Sequence, residues 1–234
     1  MSFENKLDRP LLPETPRASL GPLRRETVYV DDRTFFITRP GESDRLLDDP
    51  TVRSNFALDE YMPYWADLWP GARMLAKYLL RGQWPSGLLA LEVGCGLGLP
   101  GIVALSVGMR VIFSDYDATA LHFAAENARD NGFTNFETLQ MDWRFPPPEL
   151  RVPLLLASDL IYEMRNVGPL VQLVKKVLVP GGQCLLTDQD RVPMHHFRAT
   201  LEAEGLPFTT QMLRAGEPGG RRVKGTLYCI TLPG

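Results

Sequence analysis

Cysteine and histidine are scarce in this chain, three of each in 234 residues, and their scarcity removes several kinds of chemistry. Cys95, Cys184 and Cys229 are odd in number, far apart and set in apolar or glycine-rich stretches, which argues against a disulfide framework and against a zinc site. Free thiols of this kind fit a reducing compartment, so a cytoplasmic protein is expected. Cys95 has no histidine near it in sequence to activate a thiolate, and its place between two glycines is explained by its small size. His195 and His196 are adjacent, point different ways on a helix and lack a third ligand, so they read as surface residues and no metal site is expected.

Long apolar runs are also missing. No stretch approaches the roughly 18 residues of a membrane span, and MSFENKLDRPLLPETPR at the amino terminus has no apolar core of a signal peptide, so no membrane partner is expected. Nor is there an excess of basic charge. Lys and Arg total 25 against 28 Asp and Glu, a formal charge of -3, which leaves no basic field to hold a phosphate backbone and sets nucleic acid aside as a partner. No internal repeat is visible. Hydrophobic content of 44% and charged content of 23% are those of a chain able to bury a core without disulfides or metals.

Glycine, by contrast, is concentrated where it matters. Residues Leu88 to Gly98, LLALEVGCGLG, form an apolar run that reaches Glu92 and then carries glycine at every second position, Gly94, Gly96 and Gly98. This is the pattern of a buried strand entering a loop whose backbone lies close to a ligand. Gly96, Gly98 and Gly101 also fit the GxGxxG spacing of dinucleotide-binding folds, so spacing alone leaves two cofactors open. Met109 to Ser114, MRVIFS, reads as a second buried strand that ends at Asp115, where a carboxylate can accept two ribose hydroxyls. Both cofactor families use that acid.

Proline sets the organisation at the amino terminus. Pro10, Pro13, Pro16 and Pro22 predict an extended or mobile segment over residues 1–25 unless it packs on the domain. Thr27 to Val30 and Thr34 to Ile37 around Asp31 and Asp32 predict a hairpin within 26–38, followed by short helical turns through 43–58. These 58 residues are read as an extension to one domain over 59–234. Leu68 to Arg81 reads as a helix, with Pro70 at its first position and Ala72, Leu75, Ala76 and Leu79 at helical spacing.

From Leu88 onward the elements alternate: strand 88–93, helix 98–107, strand 109–114, helix 118–131, strand 135–140, strand 153–158, helix 165–178, strand 183–187. Such alternation predicts an α/β fold with a parallel sheet and crossover helices. Pro180, Gly181 and Gly182 are placed between the last helix and strand as breakers. Asp117 is expected to cap the helix at 118, and Asn131 with Gly132 to close it. A helix near 192–204 precedes an antiparallel pair, 207–213 and 223–232.

Read together, Glu92-x-Gly94-x-Gly96-x-Gly98 resembles motif I of the class I S-adenosylmethionine-dependent methyltransferases. Ser158 to Tyr162, SDLIY, at the end of the fourth strand is similar to the Asp-x-x-Tyr motif of the family 16 protein-lysine methyltransferases. The segment DEYMPYWADLWPG over 59–71 resembles that family's tryptophan-containing entry to a helix. The resemblance implies a Rossmann-like sheet of seven strands, mostly parallel with a reversed last strand. It implies S-adenosyl-L-methionine as cofactor, held by Trp69, Glu92, Gly94, Cys95, Gly96, Asp115, Tyr116, Asp142, Trp143 and Ser158, with S-adenosyl-L-homocysteine as product.

Asp142 is assigned to the adenine amino group, with Trp143 packed on the ring. Asp159 and Tyr162 are read as catalytic, the carboxylate orienting an amine and the tyrosine shaping its channel, against the alternative that Asp159 caps a helix. Trp65 and Tyr61 are read as core. The expected acceptor is the ε-amino group of a lysine on a protein. A small-molecule amine is the alternative, and an oxidoreductase using a nicotinamide dinucleotide, or a cofactor-binding module without turnover, stands further off. Arg221, Arg222 and Lys224 form a small basic cluster before the last strand, where a protein substrate could dock, with solvated loop charges as the default reading.

Overall fold

The computed structural model describes residues 11–216, 220 and 222–234. Its centre is a seven-stranded sheet built from β3 (Leu89–Val93), β4 (Arg110–Asp115), β5 (Phe136–Gln140), β6 (Val152–Ser158), β7 (Leu178–Asp188), β8 (Phe208–Ala215) and β9 (Val223–Thr231). The spatial order is β5-β4-β3-β6-β7-β9-β8. Strands β5 through β7 are parallel, while β9, last in the chain, runs antiparallel between β7 and β8. The order reverses between β3 and β6, so ligands of such a sheet gather at the ends of the strands around that point.

The central strands are apolar on both faces because both are covered. On β6, Leu154 and Leu156 face one core with Leu75 and Leu79 of α2 (Pro70–Arg81), Ile102 of α3 (Leu99–Ser106) and Ala124 of α4 (Ala118–Asp130). Leu155 and Ala157 face the other, with Leu170 and Val174 of α5 (Val167–Val177) and Phe197 of α6 (Pro193–Ala203). Helix α2 begins at Pro70, two residues later than the periodicity predicts. Proline restricts the residue before it to extended backbone, and Trp69 is extended.

The Pro180-Gly181-Gly182 stretch does not separate helix from strand as predicted. Helix α5 stops at Val177 and β7 starts at Leu178, which pairs with Val152, whereas Leu154 pairs with Gln183. Residues 179–182 are therefore extra length on β7, a bulge turned by Gly181 at φ +76°. Asp117 caps α4 by accepting from the Thr119 amide at 2.7 Å, and Asn131 stands at its other end. Among the described residues, no helix is long and apolar enough to cross a membrane.

Ahead of the sheet, β1 (Leu23–Val30) and β2 (Arg33–Pro40) form the antiparallel hairpin, and α1 (Pro50–Asp59) follows it. Two asparagines, Asn127 of α4 and Asn131 at its C-terminal cap, dock the hairpin. Asn131 bonds both the amide and the carbonyl of Phe36, at 2.9 and 2.7 Å, and Asn127 does the same for Thr38, at 2.7 and 3.1 Å. Each side-chain amide thus replaces a strand neighbour for β2. The segment just before the hairpin also packs down. Leu12 bridges to Asp117, and its carbonyl accepts from Gln140 at 2.6 Å.

Candidate active site

The glycine loop turns sharply because Gly94, Gly96 and Gly98 all take left-handed backbone, with φ of +58°, +51° and +81°. At Gly94 a Cβ would also lie 2.5 Å from Leu160 Cδ2, so the loop is bare of side chains for reasons of space as well as of backbone. Gly96 donates its amide to Asp115 Oδ2 at 2.9 Å, and Asp117 donates to Oδ1 at 3.1 Å. Desolvation nonetheless pushes Asp115 up to about 6, against the pull of those amides. Loop and carboxylate open together on a cavity of about 360 Å³.

Of the sequence-predicted cofactor residues, Trp69, Gly94, Cys95, Gly96, Asp115, Tyr116, Asp142, Trp143 and Ser158 line this cavity. Glu92 is not among the residues that line it. It is 2% exposed and its Oε2 accepts the Gly101 amide of α3 at 2.9 Å, which holds the loop from behind. Burial and the nearby Asp115 charge push Glu92 up to about 8. Cys95 is buried, and desolvation together with Asp115 and Glu92 raises its thiol well above the usual range, so it is no nucleophile. Asp142 is bonded by Arg144, whose Nε lies 2.9 Å from Oδ1 and Nη2 2.7 Å from Oδ2. An adenine amino group there would share an occupied carboxylate.

Asp159 follows β6 in left-handed backbone, φ +55°. Its side chain does cap a helix, though not one that follows it in sequence: Oδ2 accepts from the Gly71 amide in the first turn of α2 at 2.7 Å. Its Oδ1 accepts from Gln189 at 3.1 Å and Arg191 at 2.7 Å. Gly71 is obligatory in this arrangement, since a Cβ would lie 2.4 Å from Asp159 Oδ2. Thr187 pins the same residue by donating to the Gly71 carbonyl at 2.8 Å.

Beside Asp159 the aromatic side chains gather. Tyr64 packs edge-on to Trp69 at 5.7 Å and to Tyr162 at 5.3 Å, and all three line the cavity. Trp65 packs against Phe123 in the core, as expected, and also lines the cavity. Tyr61 belongs to the site as well, because its hydroxyl donates to Asp117 behind Asp115 and receives the Trp65 indole N–H at 3.2 Å. Among the described residues no cluster suited to a metal ion occurs, and His195 and His196 are exposed. Arg221 of the basic cluster lies outside the described residues.

Sequence reasoning missed Gly71, Asp188, Gln189 and Arg191. A signal for the first was present. Glycine in the first turn of an otherwise strong helix is unfavourable, and such a residue marks close approach. The other three sit in the polar run DQDR directly after a buried strand, the position where α/β sheets place ligand-facing side chains.

This strand order, with a glycine loop after β3 and an acid ending β4, defines the class I methyltransferase fold, a class whose cofactor is S-adenosylmethionine. Among solved structures the chain is similar to the N-methyltransferase NodS of Bradyrhizobium japonicum WM9, in complex with S-adenosyl-L-homocysteine. The TM-score is 0.57 at 17% identity, over 80% of this chain and 100% of that one. The lysine methyltransferase family model matches residues 64–202, and the chain belongs to that family. Membership decides between the two cofactors that glycine spacing left open, and sets the nicotinamide alternative aside.

The electron transfer flavoprotein beta subunit lysine methyltransferase of Danio rerio is 43% identical over 144 residues, 59% of this chain and 55% of that protein. The histidine protein methyltransferase 1 homolog of Dictyostelium discoideum is 30% identical over 52% of this chain and 42% of that one. The histone-arginine methyltransferase METTL23 of Xenopus laevis is 26% identical over 71% and 66%. The chain thus spans roughly half the length of the curated relatives it matches, which bear names of three different acceptors.

Proposed function

We propose that the chain moves a methyl group from S-adenosylmethionine to the ε-amino group of a lysine on a protein. The observation that carries this reading is that Asp159, with Tyr64, Trp69 and Tyr162 around it, lines the same cavity as the glycine loop and Asp115. The residues fit the cofactor. Glycines keep one wall clear of side chains, Asp115 presents a carboxylate for ribose hydroxyls, and Tyr116 and Trp143 supply apolar faces for a base. When bound, the cofactor supplies an electrophilic methyl on a sulfonium.

The chain's own contribution is positional. A carboxylate offers about four acceptor positions, and Asp159 has three donors on it, from Gly71, Gln189 and Arg191. One position is left for an N–H of a neutral amine, which aims the nitrogen lone pair. The aromatic group excludes water and attracts a cationic side chain to its π faces. Direct displacement needs no metal. The relative named for lysine, at 43% identity, supports this acceptor over histidine or arginine.

The test is to incubate the protein with radiolabelled S-adenosylmethionine and a soluble lysate, hydrolyse the labelled protein and separate its amino acids. Label in methyllysine is the expected result. Label confined to small molecules, or to methylarginine or methylhistidine, overturns the lysine reading.

A further inference from the structure

Beyond the end of β7, the loop at Gln189 to Arg191 sends a guanidinium into the cavity. Arg191 Nη1 lies 2.7 Å from Asp159 Oδ1 and 2.8 Å from Asp188 Oδ2, and its guanidinium carbon is 5.9 Å from the centre of the Trp69 ring. The side chains of Asp159 and Asp188 are 5% and 0% exposed. The backbone is shaped for this delivery: Asp190 is left-handed at φ +59°, and the Arg191 amide bonds Asp188 Oδ1 at 2.9 Å.

Two buried carboxylates beside an aromatic face are what a guanidinium ligand requires. We propose that Arg191 is the resident occupant of a guanidinium subsite at the acceptor end: it positions Asp159 and bars an arginine side chain from entering. The proposal rests on the reading of Asp159 as the carboxylate that meets the acceptor.

An arginine acceptor would need carboxylates on more than one of its nitrogens, and the two buried acids beside Trp69, Asp159 and Asp188, are bridged by one nitrogen of Arg191. A primary amine needs a single acceptor, and the last open position on Asp159 provides it. Arg191 therefore selects by occupying space and charge, and acts on the reaction through Asp159. It is a positioning residue. Asp188 bears on the same point: burial raises its carboxyl, and the Arg191 amide and guanidinium bonded to it pull it back down.

The experiment uses Arg191→Ala with methylguanidine as the probe. Emptying the subsite should create a methylguanidine site that the wild-type protein lacks. At about ten times its dissociation constant the probe should raise the variant's melting midpoint by roughly 4 °C and leave the wild type unmoved. Label transfer to lysate protein should fall at least about tenfold in the variant, through kcat, with S-adenosylhomocysteine affinity little changed. Methylguanidine should restore part of that activity and methylurea, which is similar in shape but uncharged, none. Arg191→Lys, whose ammonium refills the position, should keep more activity than Arg191→Ala and show no response to methylguanidine.

Wild-type turnover in Arg191→Ala, or the absence of both stabilisation and rescue by methylguanidine, would overturn the proposal. If Arg191→Ala yields too little folded protein, it is refolded with methylguanidine or with methylurea; a higher folded yield with methylguanidine alone is expected, and equal yields with the two would overturn the proposal. Failure of the lysine reading shows separately: wild-type enzyme would then label no lysine, while the melting experiment, which needs no acceptor, still judges Arg191.

Discussion

Replacing Glu92 by glutamine should make the protein more stable, and increasingly so as pH rises. Glu92 is enclosed at 2% exposure, where desolvation lifts it from an ordinary 4.5 to about 8. Below pH 4.5 the carboxyl is protonated in both folded and unfolded chains and contributes nothing. Between 4.5 and 8 the folded state retains a proton that the unfolded state has released, so stability is lost as pH rises through that window. From pH 5 to pH 8 the loss integrates to about 3 kcal/mol, which for a chain of this size is a melting shift of about 10 °C.

Glutamine keeps an oxygen for the Gly101 amide and does not titrate. Asp115, pushed up to about 6, titrates in both proteins and largely drops out of the difference. Thermal unfolding followed by circular dichroism at pH 5, 6, 7 and 8 measures the effect. The midpoints of wild type and Glu92→Gln should diverge steadily across the series. Parallel curves would refute the reasoning, and with it the assignment of Glu92 to a dry position behind the loop.

Three further outcomes follow from contacts at and around the cavity. Gly71→Ala should destabilise the fold and suppress turnover, because the added methyl meets Asp159 Oδ2 at 2.4 Å; helix propensity alone predicts a gain of roughly 0.5–1 kcal/mol, so a more stable variant on denaturant titration would contradict the contact. S-Adenosylhomocysteine affinity, measured by calorimetry, should weaken as pH falls below about 6 in the wild type, where Asp115 gains its proton, and should be weak and flat with pH in Asp115→Ala. Equal affinities for the two proteins would remove Asp115 from the ribose role. Asn127→Ala removes a fully buried amide that bonds Thr38 on both sides and the Leu97 carbonyl at 3.1 Å; a loss of about 3 kcal/mol with faster exchange of the β2 amides is expected, and an unchanged midpoint would count against the docking.

The α/β alternation was legible because both physical signals behind it are local. Strands buried on two faces are apolar without interruption, as Leu154 to Ala157 are, and the helices between them repeat at 3.6 residues, as α2 and α5 do. The hairpin showed itself through β-branched runs around two aspartates. Where pairing across the sheet decides an outcome, local reading failed. Pro180-Gly181-Gly182 looks like a break in the chain, yet Val152 and Leu154 pair on either side of it and turn it into a bulge. Nothing within those three residues reports what β6 does opposite them.

The site divides along the same line. Gly94, Gly96, Gly98 and Asp115 were readable because strand end, turn and acid follow one another in sequence, and each imposes its own local constraint. Asp159 was readable as an acid at a strand end, but its partners were not, since Gly71 lies 88 positions before it and Arg191 32 positions after. Those separations matter to its chemistry. An isolated strand-end aspartate could equally cap a helix or orient an amine, and here a single carboxylate can serve both ends. By capping α2 through Gly71, Asp159 couples the entry helix that carries Trp69 to the end of β6, and through Arg191 it couples both to β7. A substitution at any of these three positions should therefore move this wall of the cavity as one unit, so that effects of Gly71, Asp159 and Arg191 variants on turnover combine less than additively.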